Sequence, residues 1–160
     1  MHYTLRKAFT QIELIFVMVI VGILAVVAIP RLAASRDDAH AAKCTQEAQR
    51  LISEISQSYT SYGYSHFSTL PIEEMTNIGV GITEGDGISS AKGSVVSNGI
   101  YYMCDSQNTI EVKGIASEIE YNLTVRDLDP GTPASKSASE LIRKLNGISE
   151  VGSTRVYTLQ

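Results

Sequence analysis

From residue 14 to residue 29 the chain carries no charged or strongly polar side chain. A helix running over 9–29 spans roughly 30 Å at 1.5 Å per residue, which matches the hydrocarbon core of a bilayer. Arg6 and Lys7 stand just before it, the flank that stays cytoplasmic when such a helix crosses a membrane. One acid, Glu13, lies just inside the apolar edge. A carboxylate in hydrocarbon is costly at mid-depth, less so near the interface, and far less when paired. The downstream residues must therefore be read as a domain attached to this stretch.

A secretory signal peptide is one reading, with Leu32-Ala33-Ala34-Ser35 as a cleavage site. Its apolar core is long for that role and includes an acid. An ordinary transmembrane anchor explains the length and gives no reason for Glu13. A third reading accounts for the acid. Lys7-Ala8-Phe9-Thr10-Gln11-Ile12-Glu13-Leu14, with Gly22 and Pro30 further on, resembles the amino terminus of the type IV pilin and pseudopilin family. The resemblance covers about the first quarter of the chain. It implies that a prepilin peptidase/N-methyltransferase cuts after Ala8 and methylates the new terminus at Phe9. It also implies that Glu13 pairs with the terminal amine of a neighbouring subunit during assembly. Ala8 stands where the family usually has Gly, and Gln11 where an apolar residue is usual.

The implied organisation is a leader over 1–8, the membrane or assembly half of a long helix over 9–30, its amphipathic half over 31–62, and a pilin-like body over 63–160. Ala41, Cys44, Ala48, Leu51, Ile52, Ile55, Tyr59 and Tyr62 recur at steps of three and four, an apolar stripe on one helix face. The pattern predicts one helix from Phe9 to about Ser61, stopped by Gly63. Gly22 and Pro30 are its weak points, since glycine lowers helix propensity and proline removes a backbone donor. In the resembling family this stretch can loosen in the filament.

Residues 63–93 are rich in Gly, Ser, Thr and Asn and read mainly as loop, with a short helix at Pro71-Ile72-Glu73-Glu74-Met75. Glu84 and Asp86 lie among glycines without the spacing of a calcium loop; they read as a solvated turn, and no metal site is expected. Strand signals follow over 100–104, 109–115 and 119–128, with a turn over 105–108, predicting an antiparallel meander with one face on the helix. Ser137-Ala138-Ser139-Glu140 reads as a capping box opening a short helix that Gly147 ends. A last strand over 154–159 is expected at the sheet edge. The fold class is α+β: a long amino-terminal helix packed on a small antiparallel sheet.

Cys44 and Cys104 are the only cysteines. With the body outside the cytoplasmic membrane they suggest one disulfide, and two buried thiols are the alternative. Asn122-Leu123-Thr124 is a glycosylation acceptor pattern with Glu120 upstream; alternation turns Asn122 away from Tyr121, Leu123 and Val125. The formal net charge of −4, which loss of Arg6 and Lys7 takes to −6, disfavours direct nucleic-acid binding. No Walker loop, GxSxG or paired-carboxylate motif supports catalysis, and His66 reads as an ordinary loop residue. No cofactor is expected.

The resemblance therefore implies a structural subunit, single-pass in the inner membrane with a periplasmic or extracellular body. Its partners would be the prepilin peptidase, an inner-membrane assembly platform and other pilin-like subunits. The absence of paired cysteines near the carboxyl terminus and the small body favour a type II secretion-like or DNA-uptake pseudopilus over an adhesive or motility pilus. A monomeric membrane-anchored periplasmic binding module is the competing class.

Overall fold

A computed structural model describes residues 9–82, 96–116 and 121–159. The chain divides into two compact units, Met1–Arg36 and Asp37–Gln160, and helix α1 (Gln11–Phe67) contributes to both. In the first unit α1 is the element the apolar run dictates: the large apolar side chains between Ile12 and Leu32 are exposed. Pro30 lies inside the helix, and the dihedrals leave the helical region only at Gly63 (φ 70°, ψ 169°). Neither Gly22 nor Pro30 therefore interrupts α1.

Gly63 breaks the helix where the sequence predicts, in a left-handed conformation that suits glycine. The chain then re-enters helix and stops at Phe67 rather than near Ser61. Burial of Phe67 accounts for the extra turn: its ring meets Tyr59 at 5.4 Å and Tyr121 at 4.8 Å, both edge-on.

Within the second unit the sheet is a five-stranded antiparallel meander in chain order. Its strands are β1 (Val80–Gly81), β2 (Ile100–Cys104), β3 (Gln107–Ala116), β4 (Tyr121–Asp127) and β5 (Thr154–Leu159). The short helix α2 (Ile72–Met75) buries Ile72 and Met75. β2 and β5 have the predicted bounds. β1 lies in the expected loop, and the predicted turn over 105–108 shortens to Asp105 and Ser106. Both have positive φ (52° and 60°), as a two-residue hairpin matched to the sheet's twist requires. Gln107 is thereby already paired with Cys104.

The stripe on α1 packs into one core with the inward face of the sheet: Leu51, Ile55, Tyr102, Ile110, Val112 and Leu123 are among its buried members. Cys44 and Cys104 form the helix-to-sheet disulfide (S–S 2.07 Å, Cα–Cα 5.7 Å). Tyr102 reaches back to the helix, its hydroxyl donating to Glu47 at 2.9 Å. Gly114 is required by a close approach, since a Cβ there would fall 1.8 Å from the Tyr121 hydroxyl oxygen.

Helix α3 (Pro133–Asn146) corrects the expected start. Its N-cap is Thr132, with a reciprocal box to Ser135 and proline in the first turn; Ser137 and Glu140 lie inside the helix. The Thr132-Pro133 pair wins because the N-cap accepts from the first turn while proline there lacks only a donor that would be unpaired. Gly147 closes the helix in the left-handed conformation (φ 65°), as predicted.

Candidate assembly site

Residues 1–8, including Arg6, Lys7 and Ala8, lie outside the described residues, so the site is described from Phe9 onward. Phe9 is 81% exposed. At the helix start Thr10 and Glu13 face each other across the first turn. The Thr10 backbone N–H donates to Glu13 Oε2 at 2.8 Å, and its hydroxyl donates to the same oxygen at 2.7 Å. The Glu13 N–H lies 3.4 Å from Thr10 Oγ1, and the Leu14 N–H donates to the Thr10 carbonyl at 3.2 Å. This is the reciprocal S/T-x-x-E arrangement at a helix amino terminus, where a negative side chain also meets the positive end of the helix dipole. Glu13 thus has a partner in its own chain. The Thr10-Gln11-Ile12-Glu13 pattern announces that partner in the sequence, though a reading centred on the membrane overlooks it.

From Leu14 onward α1 offers no polar chemistry until Arg31. It contains a stretch long and apolar enough to cross a membrane, with mean hydropathy 3.1 over an 18-residue window and none of that window buried.

In the second unit the two predicted cysteines meet, and the other predicted residues that are described there lie apart from them. Cys44 and Cys104 are joined in the core. Asn122 is half-buried on β4 and accepts from the Thr158 hydroxyl at 3.0 Å, while the Thr124 hydroxyl donates to the Lys113 carbonyl at 2.8 Å. The two polar members of that acceptor pattern are thus engaged with neighbouring strands. His66 lies in the last turn of α1 rather than in a loop, exposed, with its ring tilted against Tyr62 at 5.3 Å. Glu84, Asp86 and Glu120 lie outside the described residues. Among the described residues no group of three or more His, Cys, Asp and Glu has the geometry of a metal cage.

A polar cluster that sequence reasoning missed lies between β4 and α3. Asp127 is completely buried, and Ser139 donates to its Oδ1 at 2.5 Å. Arg143 Nε stands 3.8 Å from Asp127 Oδ2, and among the described residues neither of those two atoms has a hydrogen-bond partner. Burial pushes the Asp127 carboxyl above its ordinary value, against the Ser139 hydroxyl and the Arg143 guanidinium, which favour the anion. Strand parity is the signal: Asp127 shares a face with Tyr121, Leu123 and Val125. Elsewhere the Thr76 hydroxyl, with Arg50 beside it, holds Glu54 below the usual carboxylate range. Both arrangements fasten elements of the body together: Ser139 and Arg143 belong to α3, whereas Thr76 follows α2.

Compared with family models, curated proteins and solved structures, the chain matches none.

Proposed function

We propose that this chain is a structural subunit of a type IV pilin-like filament, a pseudopilus of a type II secretion-like or DNA-uptake machine. One coincidence carries the reading. A basic residue, a small residue, an aromatic and an acid stand in the family's order at residues 7–13, directly ahead of a helical stretch whose large apolar side chains from Leu14 to Leu32 are exposed. Such a helix is satisfied by lipid before assembly and by neighbouring apolar helices after it. On this reading the subunit waits as a single-pass protein of the inner membrane with its body on the far side. It is cut between Ala8 and Phe9 and methylated at Phe9 by the prepilin peptidase/N-methyltransferase. It then joins other pilin-like subunits at an inner-membrane platform, with Glu13 meeting a neighbour's amine. The chain performs no catalysis of its own.

Mass spectrometry of the amino terminus, in cells with an active prepilin peptidase, tests this. A chain beginning at N-methylated Phe9 is the expected result, and a chain still beginning at Met1 refutes the filament reading. Comparing transformation with protein secretion in a deletion strain then chooses the machine.

A second reading has one observation in its favour. Because Thr10 caps α1 together with Glu13, the acid is accommodated without a neighbour, as a plain anchor of a periplasmic binding module requires. Glu13→Ala separates the two: a filament subunit loses assembly, whereas an anchored monomer keeps its membrane location and its abundance.

A further inference from the structure

We propose that the cleft at one end of the sheet is a binding site for a neutral saccharide, held through the side chain of Asn108. Every residue the site uses lies in the second unit, so it stands apart from the filament reading.

The cleft has a volume of about 470 Å³ and lies where the β2–β3 hairpin, the end of β4 and the turn before β5 come together. Its polar lining includes Asn108, Arg126, Asp127 and Asp129, and Pro130 and Val151 add apolar surface. Apolar surface with a few polar groups, in a cleft of this size, suits a small ligand. The ladder is irregular here in a way the sheet itself does not require. Tyr102 pairs with Ile110 but Met103 pairs with Asn108, so Thr109 has no counterpart on β2. A bulge of this kind re-aims the neighbouring side chain, here that of Asn108.

Among the described residues neither the oxygen nor the nitrogen of the Asn108 carboxamide has a hydrogen-bond partner, although both are shielded from solvent. Asp127, wholly buried beside the same cleft, has no hydrogen-bond partner for Oδ2. Leaving such groups unmet costs free energy, which a bound partner returns. Donor and acceptor atoms are mixed in this set, and a hydroxyl both donates and accepts. A run of hydroxyls therefore satisfies it, once a turn of the Asn108 side chain carries the carboxamide to the ligand. Charge disfavours ionic ligands: Asp127 and Asp129 repel an anion, and Arg126 repels a cation. A peptide binding by strand addition needs an open strand edge, whereas this cleft is walled by strand ends and turns. The carbon face of a sugar ring, by contrast, covers Pro130 and Val151.

The test uses the full chain in detergent, with maltotriose, cellotriose and chitotriose as probes and NMR titration as the readout. At millimolar concentration at least one trisaccharide is expected to shift the side-chain amide signals of Asn108 and the backbone signals of Asp129 and Gly152. Signals of Gln57, in the groove beside α2, are expected to stay in place. Asn108→Ala is expected to weaken that binding roughly ten-fold. The same variant, without ligand, is expected to unfold at the wild-type midpoint or above, because its carboxamide has no bond to lose. No shift at the cleft with any of the three sugars, or unchanged affinity in Asn108→Ala, overturns the site. Larger shifts there from trialanine amide than from the sugars overturn the saccharide assignment. A lowered midpoint for Asn108→Ala overturns the unmet carboxamide on which the site rests. None of these outcomes depends on cleavage after Ala8, so failure here and failure of the filament reading are distinguishable.

Discussion

Replacing Arg143 with methionine isolates the buried charge that holds α3 on the sheet. Asp127 is wholly inaccessible, Ser139 satisfies one of its oxygens, and the cation near the other is Arg143, with Nε at 3.8 Å. Removing one partner of a buried ion pair costs about 3–5 kcal/mol because the remaining charge is stranded. The Arg143 side chain is 24% exposed and the separation exceeds hydrogen-bond length, so the cost falls to the bottom of that range or just below it, about 2–3 kcal/mol. For a body of this size the midpoint of thermal unfolding falls by about 6–15 °C. The sign of the pH dependence follows from the raised carboxyl. Its contribution to stability is complete below its ordinary value of 3.8 and is lost as pH rises through the higher folded value. The Arg143→Met deficit is therefore largest at neutral pH and shrinks as pH falls toward 4. Asp127→Asn removes the charge and retains a polar group for Ser139, so in the double variant most of the loss is recovered. The assay is urea or thermal unfolding of the full chain in detergent with the disulfide intact, followed by tyrosine near-UV signal at pH 7 and pH 4.5. A loss below about 0.5 kcal/mol for Arg143→Met, within the ordinary range for a surface substitution, or a double variant no better than the single, would refute this account.

Three further outcomes follow from the body. Gly114→Ala drives a methyl into the Tyr121 phenol and is expected to cost at least about 2 kcal/mol, with loss of the Tyr59, Phe67 and Tyr121 ring contacts in aromatic NMR spectra; unchanged stability contradicts the packing. Joint replacement of Cys44 and Cys104 by serine releases a loop of 60 residues' separation and lowers unfolding free energy by about 4 kcal/mol in the chain-entropy account; wild-type mobility should shift on reduction, and its thiols should resist alkylation beforehand. Thr132→Ala removes the cap of α3 and costs about 1 kcal/mol by denaturant titration, while Ser137→Ala, inside the helix, stays within about 0.5 kcal/mol of wild type.

Much of this architecture is legible in the sequence because periodicity and breakers coincide. The stripe through Cys44, Leu51 and Tyr59 required a helix buried on one face, and Gly63 and Gly147 sit where left-handed backbone is needed. β2 could be read because Ile100, Tyr102 and Cys104 alternate inward. β1 escaped because Val80 and Gly81 form a two-residue edge held by Tyr101 and Tyr102, a pairing no local pattern encodes. The start of α3 is ambiguous in the sequence because Ser137 and Glu140 mimic a capping box that Thr132 and Ser135 supply further upstream. At the amino terminus the spacing of Thr10 and Glu13 already carries the signature of a capping box, and the first-turn geometry shows the bond itself. Asp127 was passed over because a carboxylate on an inward strand face makes sense only once Ser139 and Arg143 arrive from a helix far along the chain.

The bridge between Cys44 and Cys104 also fixes how tension would travel. A pull on the exposed apolar end of α1 runs down the helix backbone to Cys44, where a covalent shortcut leads straight into β2. The segment between the two cysteines, which holds Leu51, Ile55 and Phe67, is left off the path of the force. Helix unwinding started from the pulled end therefore halts at Cys44, with the packed part of the core still shielded. With the bridge reduced, the same load would peel Ala48, Leu51 and Ile55 away from the sheet one turn at a time.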